Sequence, residues 1–142
     1  MTIVPVSSAH FSIAVDQLKK NNLPTEDISE TTKLFVLMHD NKISGTIAIE
    51  HSGTEGLLRS LSVTEEQRNN GLGIQLVNFI ENYAQQNGIQ YLYLLTTTAE
   101  NFFIKRAYEV VARNEVPEFI QKTSEFSSVC PSSAIVMKKI LV

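Results

Sequence analysis

Residues 68–73 read RNNGLG, and residues 74–88 read IQLVNFIENYAQQNG. In the second stretch and just before it, Leu72, Leu76, Phe79 or Ile80, and Tyr83 recur at helical spacing. The pattern predicts a helix from Gly71 to about Asn87, stopped by the left-handed turn that Asn87-Gly88 favours. Two glycines one residue apart therefore stand where a helix begins. The first-turn N–H groups of a helix and the positive end of its dipole attract anions. Gly71 and Gly73 let the backbone approach a ligand closely and adopt positive φ, and Arg68 adds a mobile positive charge. The loop is thus suited to cradle a phosphate. A plain turn with a solvated Arg68 is the other reading that two glycines alone allow. It is not a P-loop, because Gly73 is followed by Ile74-Gln75 rather than Lys-Ser/Thr. Nor is it a dinucleotide fingerprint, whose third glycine would fall at Leu76.

Working outward, residues 2–6 (TIVPV) read as a short strand with Pro5 suited to an edge. Ser7 or Ser8 is placed to cap a helix running to about Asn21, with Phe11, Val15 and Leu18 on one face. KLFVLMH and KISGTIAIE are strand-like runs joined by a hairpin turn at Asp40-Asn41, and a second turn falls near Gly53. In GLLRSLSV, alternation predicts Leu57, Arg59, Leu61 and Val63 on one face and Leu58, Ser60 and Ser62 on the other. After the helix, IQYLYLL is the near-continuous apolar run of a strand buried on both faces. AENFFIKRA reads as a short helix, YEVVAR as a strand, VPEFIQKT as a helical turn and SAIVMKKI as a last strand. The order predicts one α/β (α+β) domain over residues 1–142, with a mixed central sheet and one parallel crossover.

Charge is nearly balanced, 12 basic against 15 acidic residues for a net −3, with no basic stripe to neutralise nucleic acid phosphates. No apolar stretch approaches the roughly 20 residues of a membrane helix, and the N-terminal residues lack a secretory pattern. A single cysteine, Cys130, excludes an internal disulfide and a multi-cysteine metal site, and three scattered histidines give no metal spacing. The expectation is a cytoplasmic domain with no metal, nucleic acid or membrane partner.

From Leu57 to Tyr108 the sequence resembles the GNAT acetyltransferases. Their signature Arg/Gln-x-x-Gly-x-Gly/Ala, between a strand and a long helix, stands here as Arg68-Asn69-Asn70-Gly71-Leu72-Gly73, and SLSVTEEQ is similar to the end of the family's fourth strand. LLRSLSV, YLYLLTTTAENFF and EFSSVCPSSAIVMKK are similar to a branch of small bacterial arsenic-resistance-associated N-acetyltransferases. The LTT-plus-short-helix signature within YLYLLTTTAENFF also resembles amino-acid N-acetyltransferases of the N-acetylglutamate synthase type. The resemblance implies a sheet whose fourth and fifth strands splay apart, with acetyl-CoA as cosubstrate. Backbone N–H groups of Arg68, Asn69, Asn70, Gly71, Leu72 and Gly73 would hold the pyrophosphate. Leu61, Ser62 and Val63 would line the pantetheine arm, with the N–H of Leu61 on the thioester oxygen. Thr97 and Phe103 would contact the cofactor. The chain departs from the family at Phe103, where a tyrosine usually protonates the leaving thiolate, and at Ala107, where glycine is usual.

The acid–base and acceptor residues are open. Glu50, at the end of IAIE, is either a general base that passes a proton to water or a solvated hairpin carboxylate. Arg59 either clamps an acceptor carboxylate or forms a structural ion pair with a residue such as Glu50. Arg113 and Lys122 are later cations, facing either the cleft or solvent. The leading expectation is an N-acetyltransferase acting on a small amino-acid-like amine or toxin by direct attack. A protein acetyltransferase, with Glu26, Asp27 and Glu30 lining a groove, and a non-catalytic acetyl-CoA-binding module are the alternatives. Free sheet edges suggest a homodimer.

Overall fold

The computed structural model describes residues 2–21, 23, 32–68, 70–121 and 134–141. Strand β1 (Thr2–Pro5) leads to helix α1 (Phe11–Lys20), then to β2 (Lys33–His39), β3 (Lys42–Ser52) and β4 (Glu55–Val63). Helix α2 (Leu72–Gln86) connects β4 to β5 (Tyr91–Thr96). The short helix α3 (Glu100–Ile104), β6 (Glu109–Val111), α4 (Glu118–Gln121) and β7 (Ile135–Ile140) complete the order. The strands form one sheet in the order β1-β2-β3-β4-β5-β7-β6. This is the mixed sheet flanked by helices that the alternation of patterns predicts.

Local chemistry explains the hairpins. Asp40 and Asn41 both take positive φ, 51° and 63°, as the tight β2–β3 turn requires. Pro5 sits on an edge strand, where its missing N–H costs no ladder bond. One reading near α1 needs correction. Neither Ser7 nor Ser8 caps α1: the N-cap is His10, whose Nδ1 lies 2.9 Å from Ser7 Oγ, so the serine instead holds the cap residue. After α3, Ala107 occupies the left-handed region at φ 72°, while Tyr108 N–H returns to the Phe103 carbonyl at 3.0 Å. That is the helix stop usually given to glycine, here imposed on alanine.

The main core lies between the sheet and α2, where Leu72, Leu76, Val77, Ile80 and Ala84 pack on Leu37, Ile47, Ile49, Leu58 and Leu92. Gly45 allows this fit, because a Cβ there would sit 2.8 Å from Leu76 Cδ1 and 3.0 Å from the Ser62 carbonyl. A smaller cluster under α1 joins Ala14, Leu34, Val36, Ile43 and Ala48. On the far side of the central sheet from α2, α4 places Ile120 against Leu57, Tyr93 and Val136.

Candidate functional site

The geometry of β4 departs from plain alternation, and the departure makes the site. In the β3–β4 ladder Thr46 pairs with Ser62 and Ala48 with Arg59. One residue of β3, Ile47, therefore spans two of β4, Ser60 and Leu61, which is a β-bulge. Ser60 has φ 60°, so it supplies the kink. The bulge reverses the parity of the residues beyond it. Leu61 and Val63 pack on the α2 core beside Leu58, while Arg59 and Ser62 share the opposite face. The predicted face of Leu57, Arg59, Leu61 and Val63 is thereby corrected: alternation fails where one extra residue enters the strand.

The other edge of β4 opens. It pairs parallel with β5 only at Glu55–Tyr91, Gly56–Leu92 and Leu57–Tyr93. Beyond that point β5 continues its ladder with β7 as far as Thr96–Ile135, whereas β4 turns away through the bulge. A split therefore opens between the second half of β4 and β5. The residues expected along it, Leu61, Ser62 and Val63, occupy the β4 side.

The glycine loop lies where β4 leads, through a single 3-10 turn, into α2. Gly71 is the N-cap of α2 at φ 75°, with open space where a side chain would stand. Among the described residues no side chain caps this helix, no acidic residue occupies its first turn, and the first helical bond runs from Gln75 N–H to the Gly71 carbonyl. The N–H groups of Leu72, Gly73 and Ile74 thus lack intrahelical partners and suit an anion. A Cβ at Gly73 would meet the Phe102 ring at ordinary contact distance. Arg68 is exposed but tethered, contrary to the mobile charge expected. Its Nε donates to the Val63 carbonyl at 3.3 Å and its Nη2 to Asn21 Oδ1. It ties the loop to the end of β4 and to α1. Asn70 is exposed beside it, and Asn69 lies outside the described residues.

The remaining expected residues divide. Thr97 is exposed after β5, where Thr96 Oγ1 accepts the Ala99 N–H at 2.9 Å and so begins α3. Phe103 does not lie open to a cofactor. It is 4% exposed and packs in the core against Phe102 and Tyr108. The aromatic ring beside the glycine loop is Phe102, with Arg106 stacked on it at 4.8 Å. Helical spacing distinguishes the two only when the tilt of α3 is known.

Arg59 and Glu50 meet. Arg59 Nη1 lies 3.4 Å from Glu50 Oε1, and Thr32 Oγ1 donates to the same oxygen at 2.7 Å. The Arg59 side chain has no exposed surface, while that of Glu50 retains 13%. The ion pair with Glu50, one of the two readings of Arg59, is present in the structure. The solvated-carboxylate reading of Glu50 is corrected, since two side chains hold it. Glu50 shares the β3 face of Thr46 and Ala48, three residues or about 10 Å along the strand from the bulge.

Other cations and the lone thiol are less informative. Arg113 Nη2 donates to the Ala134 carbonyl at 2.8 Å and so braces the start of β7. Lys122, Cys130, Glu26, Asp27 and Glu30 lie outside the described residues. Sequence reading missed a partly buried trio on the α2 side. Tyr108 OH and Lys139 Nζ each lie 2.9 Å from a Glu81 carboxylate oxygen. Burial, with the adjacent Glu81 charge, pushes the Tyr108 phenol far above its ordinary pKa.

Comparison with known proteins fits this geometry. Residues 8–110 match the acetyltransferase (GNAT) family. An amino-acid acetyltransferase of Ralstonia nicotianae is 29% identical over 107 residues, covering 74% of this chain but only 23% of that protein. The N-acetylglutamate synthase of Neisseria gonorrhoeae, solved with coenzyme A and N-acetyl-glutamate, superposes with a TM-score of 0.83 at 20% identity. That match covers 99% of this chain and 35% of the synthase. The ribosomal-protein-S18-alanine N-acetyltransferase of Escherichia coli gives a TM-score of 0.75 at 15% identity, covering 99% and 93% of the two chains. The chain thus spans about a quarter to a third of the longer amino-acid enzymes it resembles. Among the described residues, no helix is long and apolar enough to cross a membrane.

Proposed function

This chain belongs to the acetyltransferase (GNAT) family, and we propose that it transfers acetyl from acetyl-CoA to the amine of a small amino-acid-like acceptor. The observation that carries the reading is the uncapped start of α2 beside the β4–β5 split. The helix N-terminus takes the pyrophosphate, and the split takes the pantetheine arm. The thioester carbonyl then meets the Leu61 N–H at the bulge. The neutral amine attacks that carbonyl, a C–N bond forms, the nitrogen releases a proton to water, and the tetrahedral oxyanion collapses with loss of the C–S bond. Proximity of the aligned reactants is worth about 7–11 kcal/mol in well-oriented systems.

Glu50 is the proposed base. It is held by Arg59 and Thr32 on the sheet face opposite α2, and from about 10 Å along the strand it takes the ammonium proton through water. Phe103 has no proton to give, and Tyr108 commits its own to Glu81. The thiolate therefore takes its proton from solvent, which an ordinary thiol pKa near 8.5 allows.

The amino-acid class of acceptor is supported by the Ralstonia relative. The finer branch, associated with arsenic resistance, rests on LLRSLSV and YLYLLTTTAENFF and places an amino-acid-like toxin in the same class. We propose further that two copies pair through an open sheet edge, β1 or β6, which sedimentation of the full chain at increasing concentration reads.

Release of the coenzyme A thiol, followed against free amino acids, amines without a carboxylate, and lysine or N-terminal peptides, tests the function. Turnover confined to free amino acids and their analogues is expected. Turnover on peptides alone replaces the reading with a protein acetyltransferase. Acetyl-CoA binding without turnover on any acceptor leaves a binding module.

A further inference from the structure

Thr46 on β3 pairs with Ser62 on β4, at the edge of the bulge, and is fully buried. Its Oγ1 lies 2.8 Å from the Ser60 carbonyl oxygen and 2.6 Å from Ser62 Oγ. Gln17 Nε2, on α1, lies 3.0 Å from the same Ser62 Oγ. The direction of every proton in this chain of contacts is set by chemistry. A carbonyl only accepts, so the single Thr46 hydroxyl proton goes to Ser60. Ser62 must then donate to Thr46, and the Gln17 amide, which only donates from nitrogen, closes the chain on Ser62. A one-way relay of hydrogen bonds runs from α1 to the kinked residue of β4.

The end of that relay matters because of where the Ser60 carbonyl sits. It shares one planar trans peptide unit with the Leu61 N–H, and no cis peptide occurs among the described residues. Oxygen and hydrogen point in opposite directions across that plane. Fixing the Ser60 oxygen therefore fixes the direction of the Leu61 N–H. A hydrogen bond accepted by the carbonyl also draws electron density through the amide and strengthens the N–H as a donor, by roughly 10–30% per bond in condensed-phase estimates. A bulge interrupts the ladder that would otherwise hold the backbone, and Ser60 stands in it at φ 60°. Without a tether this peptide plane can rock.

We infer that Thr46, backed by Ser62 and Gln17, is a positioning residue for the oxyanion donor. Its hydroxyl holds and polarises the Ser60–Leu61 peptide so that the Leu61 N–H meets the thioester oxygen. The inference rests on the acetyl-CoA reading of the split. It also gives α1 a connection to the reacting centre, since Gln17 is one turn before Asn21, which holds Arg68 of the phosphate loop. A buried threonine that only satisfies its own hydroxyl would have no effect on a bound thioester.

The test uses acetyl-CoA carrying carbon-13 at the acetyl carbonyl, bound to the full chain and read by its carbonyl resonance. In the wild type the bound signal moves downfield of free acetyl-CoA, as a hydrogen-bonded carbonyl does. Thr46→Val, which keeps shape and removes the hydroxyl, loses most of that displacement while its acetyl-CoA affinity stays within about threefold of wild type. Its kcat falls about tenfold, a fraction of the 10²–10³ that removing an oxyanion donor costs. Thr46→Ser restores both. A folded Thr46→Val protein with the full wild-type displacement overturns the inference and leaves the acetyltransferase reading standing. Wild-type protein that fails to bind acetyl-CoA overturns both together. If Thr46→Val does not fold, Ser62→Ala decides: a partial loss of displacement supports the relay, and an unchanged resonance overturns it.

Discussion

Strand β4 has two edges, and they are built to different ends. Against β3 it runs antiparallel over most of its length, with one bulge and a buried hydroxyl relay across it. Against β5 it is paired for three residues and then departs. The first edge is closed by side-chain packing, with Leu76 of α2 reaching down onto Gly45. The second is left open beside a helix start that no side chain caps. One strand thus carries stability along one side and, in the function we propose, a ligand along the other. The bulge joins the two roles, because the residue that bends β4 away from β5 is the one that the β3 relay holds.

Substitutions on either edge sharpen the contrast. The largest effect falls on Arg59, whose buried charge is met by Glu50. Removing one partner of a buried pair costs about 3–5 kcal/mol, so Arg59→Ala lowers the midpoint of chemical denaturation strongly and lowers activity on every acceptor alike. A variant that stays fully folded and loses activity only on carboxylate-bearing acceptors would restore Arg59 as a clamp. Next comes Glu50→Gln, which keeps a neutral partner for Arg59 and removes the proposed base. Its kcat/KM falls about hundredfold and recovers as pH rises and the amine arrives already neutral. A loss that does not recover in alkaline buffer removes Glu50 from proton transfer.

On the closed edge, Gly45→Ala forces a methyl against Leu76 and the Ser62 carbonyl. Overpacking of this kind costs about 1–3 kcal/mol, measurable by urea unfolding, with acetyl-CoA affinity of the folded fraction little changed. Tyr108→Phe gives the smallest effect, about 1–2 kcal/mol for the hydrogen bond to Glu81. It carries a signature in pH. The folded Tyr108 pKa is raised above its unfolded value of 10.0, so the unfolded chain releases the proton first. The stability contribution is whole below that value and declines as pH rises beyond it. Tyr108→Phe removes this alkaline decline, which thermal melts across that range would reveal.

Much of this was legible in the sequence because it is written in local pattern. The hairpin at Asp40-Asn41, the α2 stripe and the uncapped glycine start all arise from neighbouring residues. The illegible part depends on register. A bulge adds one residue to β4, and from that point every inferred face is reversed, so Leu61 and Arg59 part company. The clue lay in Thr46, Ser60 and Ser62, three hydroxyl residues in otherwise apolar strands, whose common purpose needs the β3–β4 pairing to be seen. Phe102 and Phe103 likewise cannot be told apart until α3 is docked. The trio of Glu81, Tyr108 and Lys139 joins residues up to 58 apart in sequence, beyond any motif.

We propose that the glycine loop at the start of α2 holds the pyrophosphate of acetyl-CoA. Calorimetric titration of wild type, Gly71→Asn and Gly71→Asp with acetyl-CoA, and separately with ATP and NAD, tests it most directly. Both side chains tolerate the left-handed backbone at Gly71, so their difference isolates a carboxylate placed at the anion site. Selective acetyl-CoA binding by the wild type is expected, with a modest loss in Gly71→Asn and at least a further tenfold loss in Gly71→Asp that salt diminishes. Equal affinities for Asn and Asp in folded proteins would contradict it, and so would a wild type that prefers ATP or NAD.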